Sequence, residues 1–297
     1  MPQKAEIEIE AASALCLGAR SRQEDALATS FVQGAEVGFA VLSDGMGGHA
    51  AGDLASRIIV AEIFAELTLR IEGSDFSENS IPELLRNTAQ SANQCIRVQI
   101  DAAPETDGMG GTVIVVVAVA SHLYWLSVGD SPLYLFRDGR LTRLNDDHSL
   151  APQIDLMVRE GQIDPEKGRS HPQRSCLTSA LIGETIPIID CPDQPFALQE
   201  GDLVLAASDG IQFLPDDRIE EVLTETNGNH SASIANALIA GVKTLDDPEQ
   251  DNTSVVVLKA QDAAIEQQMA TRLSPAAMLR AWANGVAPAR HFRTKDG

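Results

Sequence analysis

Basic residues are scarce in this sequence: 22 Lys and Arg stand against 43 Asp and Glu in 297 residues, a net charge of −21. A field of that sign repels nucleic acid and anionic membranes and favours cations or basic partner segments. Cysteine is equally sparse. Cys16, Cys95, Cys176 and Cys191 are scattered with no C-x-x-C pair, and the start of the chain has neither the basic nor the apolar stretch of a secretory signal. A reduced, cytoplasmic setting is therefore expected. No apolar run approaches the roughly 18 residues of a transmembrane helix; the longest, residues 113–120, is β-branched and strand-like. The six histidines are dispersed, without the His-Cys spacing that zinc requires.

What remains is a chain that is 44% hydrophobic, enough for a sizeable core in one large domain or two small ones. Residues 5–17 alternate with period two and predict an opening strand. Residues 34–43 have buried-strand composition. Helical spacing places Ala55, Ile58, Ile59, Ile63 and Leu67 on one face of a helix over 50–70, and Leu85, Ala89, Ala92 and Ile96 on another over 82–100. An antiparallel meander is predicted over 111–120, 122–129, 132–137 and 140–144, with Asp138-Gly139 as a turn. Residues 145–186 read as a surface insertion with one helix over 150–159, and a segment of that length suggests a lid. Strands at 186–190 and 202–207, helices near 216–224 and 231–243, and a last strand at 254–258 complete the body. Residues 261–297 carry five bases against three acids and differ from the acidic body before them. A domain over 1–260 with a short helical, weakly basic extension over 261–297 is expected.

Four aspartates recur beside predicted strand ends: Asp44, Asp130, Asp209 and Asp251, each next to Gly, Ser or Asn. Carboxylates gathered without partners are costly, so their convergence implies metal or protonation. An oxygen-only donor set suits Mg2+ or Mn2+. Two such ions can activate a water and hold a phosphoryl group for in-line attack, and Arg20 could grip the phosphate oxygens.

The order R-x-x-Q-E-D (20–25), S-D-G-M-G-G-H-x-A-G (43–52), M-G-G-T (109–112), G-D-S (129–131), D-H-S (147–149), S-D-G (208–210) and D-N-T (251–253) resembles the bacterial branch of the PP2C-type, metal-dependent Ser/Thr protein phosphatases, also called PPM. The resemblance implies an α+β, four-layer αββα sandwich, two antiparallel sheets flanked by helix pairs, with the site at one end. It also implies that Asp44 bridges two ions and Gly45 offers its carbonyl, while Asp209 and Asp251 complete the ligands of the first ion. Glu24 would reach the second ion through water, Asp25 would support the water network, and Arg20 would bind substrate phosphate. Asp130 with Asp209 would hold a third, weaker ion. The segment 145–172 resembles the family's flap, with His171 as a substrate contact. The cofactor implied is Mn2+ or Mg2+, two per site. The partners implied are phosphorylated proteins and a cognate Ser/Thr kinase, with the chain acting as a monomer.

Four positions depart from the family pattern: Gly111 lacks a usual hydroxyl, Pro132 replaces an arginine, Gln23 replaces a frequent Asn, and Met46 stands where animal members place a histidine. None touches an expected metal ligand. They leave two alternatives to the enzyme, a phosphoprotein-binding module with weak turnover and a phosphatase dedicated to one partner-switching regulator.

Overall fold

The computed structural model describes residues 7–32, 35–47, 51–74 and 76–262. The extension expected over 261–297 lies almost wholly outside them. Eleven strands are described: β1 (Ile7–Cys16), β2 (Asp25–Ser30), β3 (Val37–Met46), β4 (Gly110–Gly111), β5 (Val113–Val119), β6 (His122–Val128), β7 (Leu133–Arg137), β8 (Arg140–Arg143), β9 (Phe196–Ala197), β10 (Leu203–Ala207) and β11 (Thr253–Asp262). The α-helices are α1 (Ala51–Ile71), α2 (Ile81–Ala102), α3 (Ala151–Arg159), α4 (Pro165–Arg169), α5 (Asp216–Thr226) and α6 (Ser231–Lys243). One antiparallel sheet runs β1-β11-β10-β7-β8; the other runs β2-β3-β5-β6-β9, with β4 added on β3.

The central strands are apolar at nearly every position because both of their faces are covered. On β3, Phe39 and Val41 face α1 and α2, whereas Ala40 and Leu42 face the opposite sheet. On β11, Val255 and Val257 pack beneath α5 and α6, and Val256 and Leu258 join the layer between the sheets. Period-two alternation thus feeds three separate cores, and the expected αββα sandwich is the fold observed. The predicted helical stripes are the buried ones: Ile59, Ile63 and Leu67 of α1 meet Leu85, Ala89, Ala92 and Ile96 of α2 in the first core. Ile234, Leu238 and Val242 of α6 fill the second.

Several elements differ from the sequence reading. The strand predicted at 34–43 continues through Met46, because Gly45 and Met46 pair with Gly111 and Gly110 of β4. Asp44 therefore sits inside a strand rather than at its end. Residues 25–30, read as the end of a charged connection and the stretch after it, form β2, which puts Asp25 directly opposite Asp44. No strand forms over 186–190, where Pro187 has no N–H to donate. Only Asp190 bridges to Ser127, and the edge of that sheet is taken by β9. The breaker-rich stretch after α3 contains α4, started by Asp164, whose carboxylate accepts from Glu166 N at 3.0 Å.

Candidate metal-dependent active site

The two sheets bring their aspartates together at one end of the sandwich. Asp44 comes from β3, Asp25 from β2, Asp130 from the turn after β6, Asp209 from the turn after β10, and Asp251 from just before β11. Asp44, Asp130 and Asp209 line one cleft. Burial pushes the Asp44 carboxyl well above the usual range, and the charges of Asp209, Asp25, Asp251 and Asp130 push it in the same direction. Burial also raises Asp209, with Asp251 adding to it and the neighbouring Asp44 carboxyl and Arg20 opposing it. Asp25 and Asp130 are each pushed up to about 7, chiefly by burial and then by neighbouring carboxylates. Glu24 is raised by burial and drawn back by Arg20.

Local contacts fix this cluster. Asp25 accepts from Ser208 Oγ at 2.7 Å, and that same hydroxyl accepts from Ser254 N at 2.9 Å. Asp44 N donates to Thr112 Oγ1 at 3.1 Å, and the Thr112 hydroxyl meets Ser131 Oγ at 2.8 Å. Thr112 thereby ties β3 to the turn carrying Asp130. That turn is gripped from the other side by His148, whose Nδ1 accepts from Gly129 N at 3.1 Å and whose N–H donates to Gly129 O at 3.0 Å. Arg143 donates to Asp130 O at 2.7 Å and to the Asp147 carboxylate at 3.1 Å. Arg143 thus brings a guanidinium beside the loop in which Pro132 lacks one. Asn252 holds the loop before β2: its side chain donates to Leu17 O at 2.8 Å and Arg22 O at 3.0 Å and accepts from Glu24 N at 2.7 Å.

Glycine is needed where oxygens crowd. A Cβ on Gly52, at the start of α1, would lie 2.8 Å from Gly45 O and 3.1 Å from a Glu24 carboxylate oxygen, so these two oxygens approach one point. At Gly111 a Cβ would lie 2.8 Å from Asp44 O and 3.0 Å from Ile59. Contrary to expectation, this departure does touch predicted ligands, since Gly111 pairs with Gly45 and lies against Asp44; it is sterically matched to this backbone, and Gly111 is bound through its main chain to Leu181 at 3.0 and 2.9 Å.

Among the described residues, no group of three or more His, Cys, Asp or Glu is already set as a metal cage. The donor chemistry nonetheless suits a hard cation. Asp25 Oδ1 and Asp209 Oδ1 are buried without any hydrogen-bond partner, and unpartnered buried carboxylate oxygens are costly unless a cation or a proton meets them. Arg20 reaches Asp251 at 2.5 Å with its side chain about half exposed, at the rim rather than within the cluster. His171 stands apart from the cleft lining; its Nδ1 accepts a local hydrogen bond from Gln173 N at 3.2 Å. Sequence reading singled out the carboxylates and passed over Thr112, His148, Arg143 and Asn252, which hold them. The M-G-G-T, D-H-S and D-N-T motifs contained three of these four; Arg143 lay in an unremarkable strand.

The model of the family described as Protein phosphatase 2C matches residues 16–252. The chain belongs to that family. Within the PP2C family, serine/threonine protein phosphatase PstP of Mycobacterium tuberculosis is 33% identical over 222 residues, covering 74% of this chain and 40% of PstP. The chain thus spans well under half the length of that relative. Serine/threonine phosphatase stp of Listeria monocytogenes is 33% identical over 187 residues, 62% of this chain and 70% of its own length. Among solved PP2C structures, the catalytic domain of PstP in complex with two manganese ions superposes with a TM-score of 0.67 at 29% identity, covering 86% of this chain and 100% of that one.

Proposed function

We propose that this chain hydrolyses phosphoserine and phosphothreonine in proteins with the help of divalent cations. The observation that carries the reading is the convergence of five aspartates from both sheets, two of them with buried, unpartnered oxygens. Mn2+ or Mg2+ fits this all-oxygen set. Asp44, the Gly45 carbonyl, Asp209 and Asp251 would hold these ions, and Glu24 would contribute through water. Asp130 and Asp209 would take a third, weaker ion. When bound, such cations neutralise charge on the phosphoryl oxygens and acidify a water for in-line attack.

The remaining work falls to side chains of the chain itself. Arg20, on the rim, can exchange its contact with Asp251 for two phosphoryl oxygens, since a guanidinium matches them bidentately. Asp25, whose carboxylate accepts from Ser208 Oγ at 2.7 Å, is fixed in orientation and would support the water network of the site. Thr112 keeps Asp44 in register with the Asp130 turn. Met46 lines the cleft and has no proton to give, so the leaving serine oxygen would take its proton from a water or from the flap segment.

In this reading residues 1–260 are the catalytic part and 261–297 an appended segment. The chain acts as a cytoplasmic monomer opposite a Ser/Thr kinase. No helix among the described residues is long and apolar enough to cross a membrane. The test is Mn2+-dependent phosphate release from a phosphothreonine peptide. Release well above an Asp209→Ala control supports the reading, and release no greater than that control, with metal shown to be bound, would sink it.

A further inference from the structure

The cleft over the aspartates is larger than a phosphoryl group requires. Its volume is about 590 Å3, within the roughly 300–1,000 Å3 typical of sites that enclose a substantial ligand. Asp44, Asp130, Asp209 and Thr112 form one part of its lining, and Met46 with the run 175–187 forms the rest. This second part is not a loose flap. Thr178 N donates to His148 O at 2.7 Å, and Leu181 is paired with Gly111. Gly183 N donates to Asn93 Oδ1 at 2.8 Å, and Asn93 Nδ2 donates to Glu184 O at 2.5 Å. The wall therefore leads from β4, next to Asp44, to the middle of α2, and it is anchored at both ends.

The chemistry of the lining is one-sided. Among the described residues no Lys or Arg lines the cleft, while Met46, Leu177, Ala180, Ile182 and Pro187 give it apolar surface. Glu184, on the α2 side, is exposed. No hydrogen bond to its carboxylate is present among the described residues; the nearby Arg97, which feels its charge, donates its hydrogen bond to Asp101 at 2.5 Å. Apolar surface ending in a carboxylate suits a Lys or Arg side chain, whose methylenes pack while its charge stays wet. An acidic side chain would find no Lys or Arg among the described lining residues and would face the repulsion of a protein carrying −21.

We propose that this groove binds the polypeptide flanking the phosphoresidue and selects phosphosites that place a basic residue against Glu184. The inference rests on the phosphatase reading above and adds a substrate class to it: phosphoproteins whose sites lie in basic rather than acidic sequence.

The test uses the full chain saturated with Mn2+ and phosphothreonine peptides in which one Arg, or one Glu, is scanned through the positions on either side. The wild type should favour Arg over Glu at its best position by about tenfold in kcat/KM, and the preference should shrink as salt is raised. Glu184→Lys should cut the Arg-to-Glu ratio about fivefold or more, and Glu184→Gln should fall between. Equal kcat/KM for Arg and Glu peptides at every position, or a ratio that Glu184→Lys and Glu184→Gln both leave unchanged, overturns the inference while the phosphatase reading stands. Hydrolysis of none of the peptides overturns that reading and the inference with it.

Discussion

Replacing Asp130 by Asn should stabilise the metal-free protein while weakening cation binding, because Asp130 is an acid held in a place that disfavours its charge. Its carboxyl is raised from 3.8 to about 7, first by burial and then by Asp209 and Asp147, against a smaller pull from Arg143. The folded state therefore keeps the proton longer than the unfolded chain does. As pH rises from the unfolded value towards 7, the folded state binds more protons than the unfolded state, so stability falls; above that window the loss is complete and constant. A shift of this size corresponds to about 4 kcal/mol at 1.36 kcal/mol per pH unit, and relaxation and water entry reduce it to about 2–4 kcal/mol. Asn keeps the shape and removes the charge. Urea unfolding in chelator should show Asp130→Asn and wild type equal near pH 4, with the variant ahead by about 2–4 kcal/mol near pH 8. A gap that is absent near pH 8, or that does not grow with pH, would refute the reasoning.

Two further substitutions probe how the site is held. Thr112→Val keeps volume but strips the hydroxyl that serves Asp44 N and Ser131 Oγ; chemical denaturation should show a loss of about 2 kcal/mol, and calorimetry a weaker Mn2+ affinity. Gly52→Ala would put a methyl within 2.8 Å of Gly45 O and 3.1 Å of the Glu24 carboxylate. Phosphopeptide turnover at limiting Mn2+ should drop at least about tenfold while the far-ultraviolet circular dichroism stays native; unchanged turnover would mean those oxygens do not serve the site.

The helices and inner strands were legible because each buries a face whose period can be read locally: Ile59, Ile63 and Leu67 announce α1, and the Val-rich run of β5 announces a strand covered on both sides. Elements made by distant pairing were not. β2 is a strand because it lies along β3, and β3 runs on to Met46 because β4, some 65 residues later, reaches it. The apolar run at 186–190 looked like a strand, yet Pro187 cannot join a ladder. In the site, aspartates beside Gly, Ser or Asn stood out as charges in unusual company. The groups that aim them were invisible, since a hydroxyl such as Thr112 or a buried amide such as Asn252 acquires its meaning only from what it touches. Glu184 was likewise ordinary in sequence and gains interest only from the cleft wall that carries it.

The most direct test of the central claim is Mn2+ titration by calorimetry of the wild type beside Asp44→Ala, with phosphopeptide hydrolysis followed on the same samples. Asp44 faces Asp209, Asp25, Asp251 and Asp130 at the centre of the cluster. Loss of both tight Mn2+ binding and turnover in Asp44→Ala, with unfolding as cooperative as that of the wild type, is the predicted result. Retention of Mn2+ affinity or turnover by Asp44→Ala would contradict a cation-dependent reaction built on these aspartates.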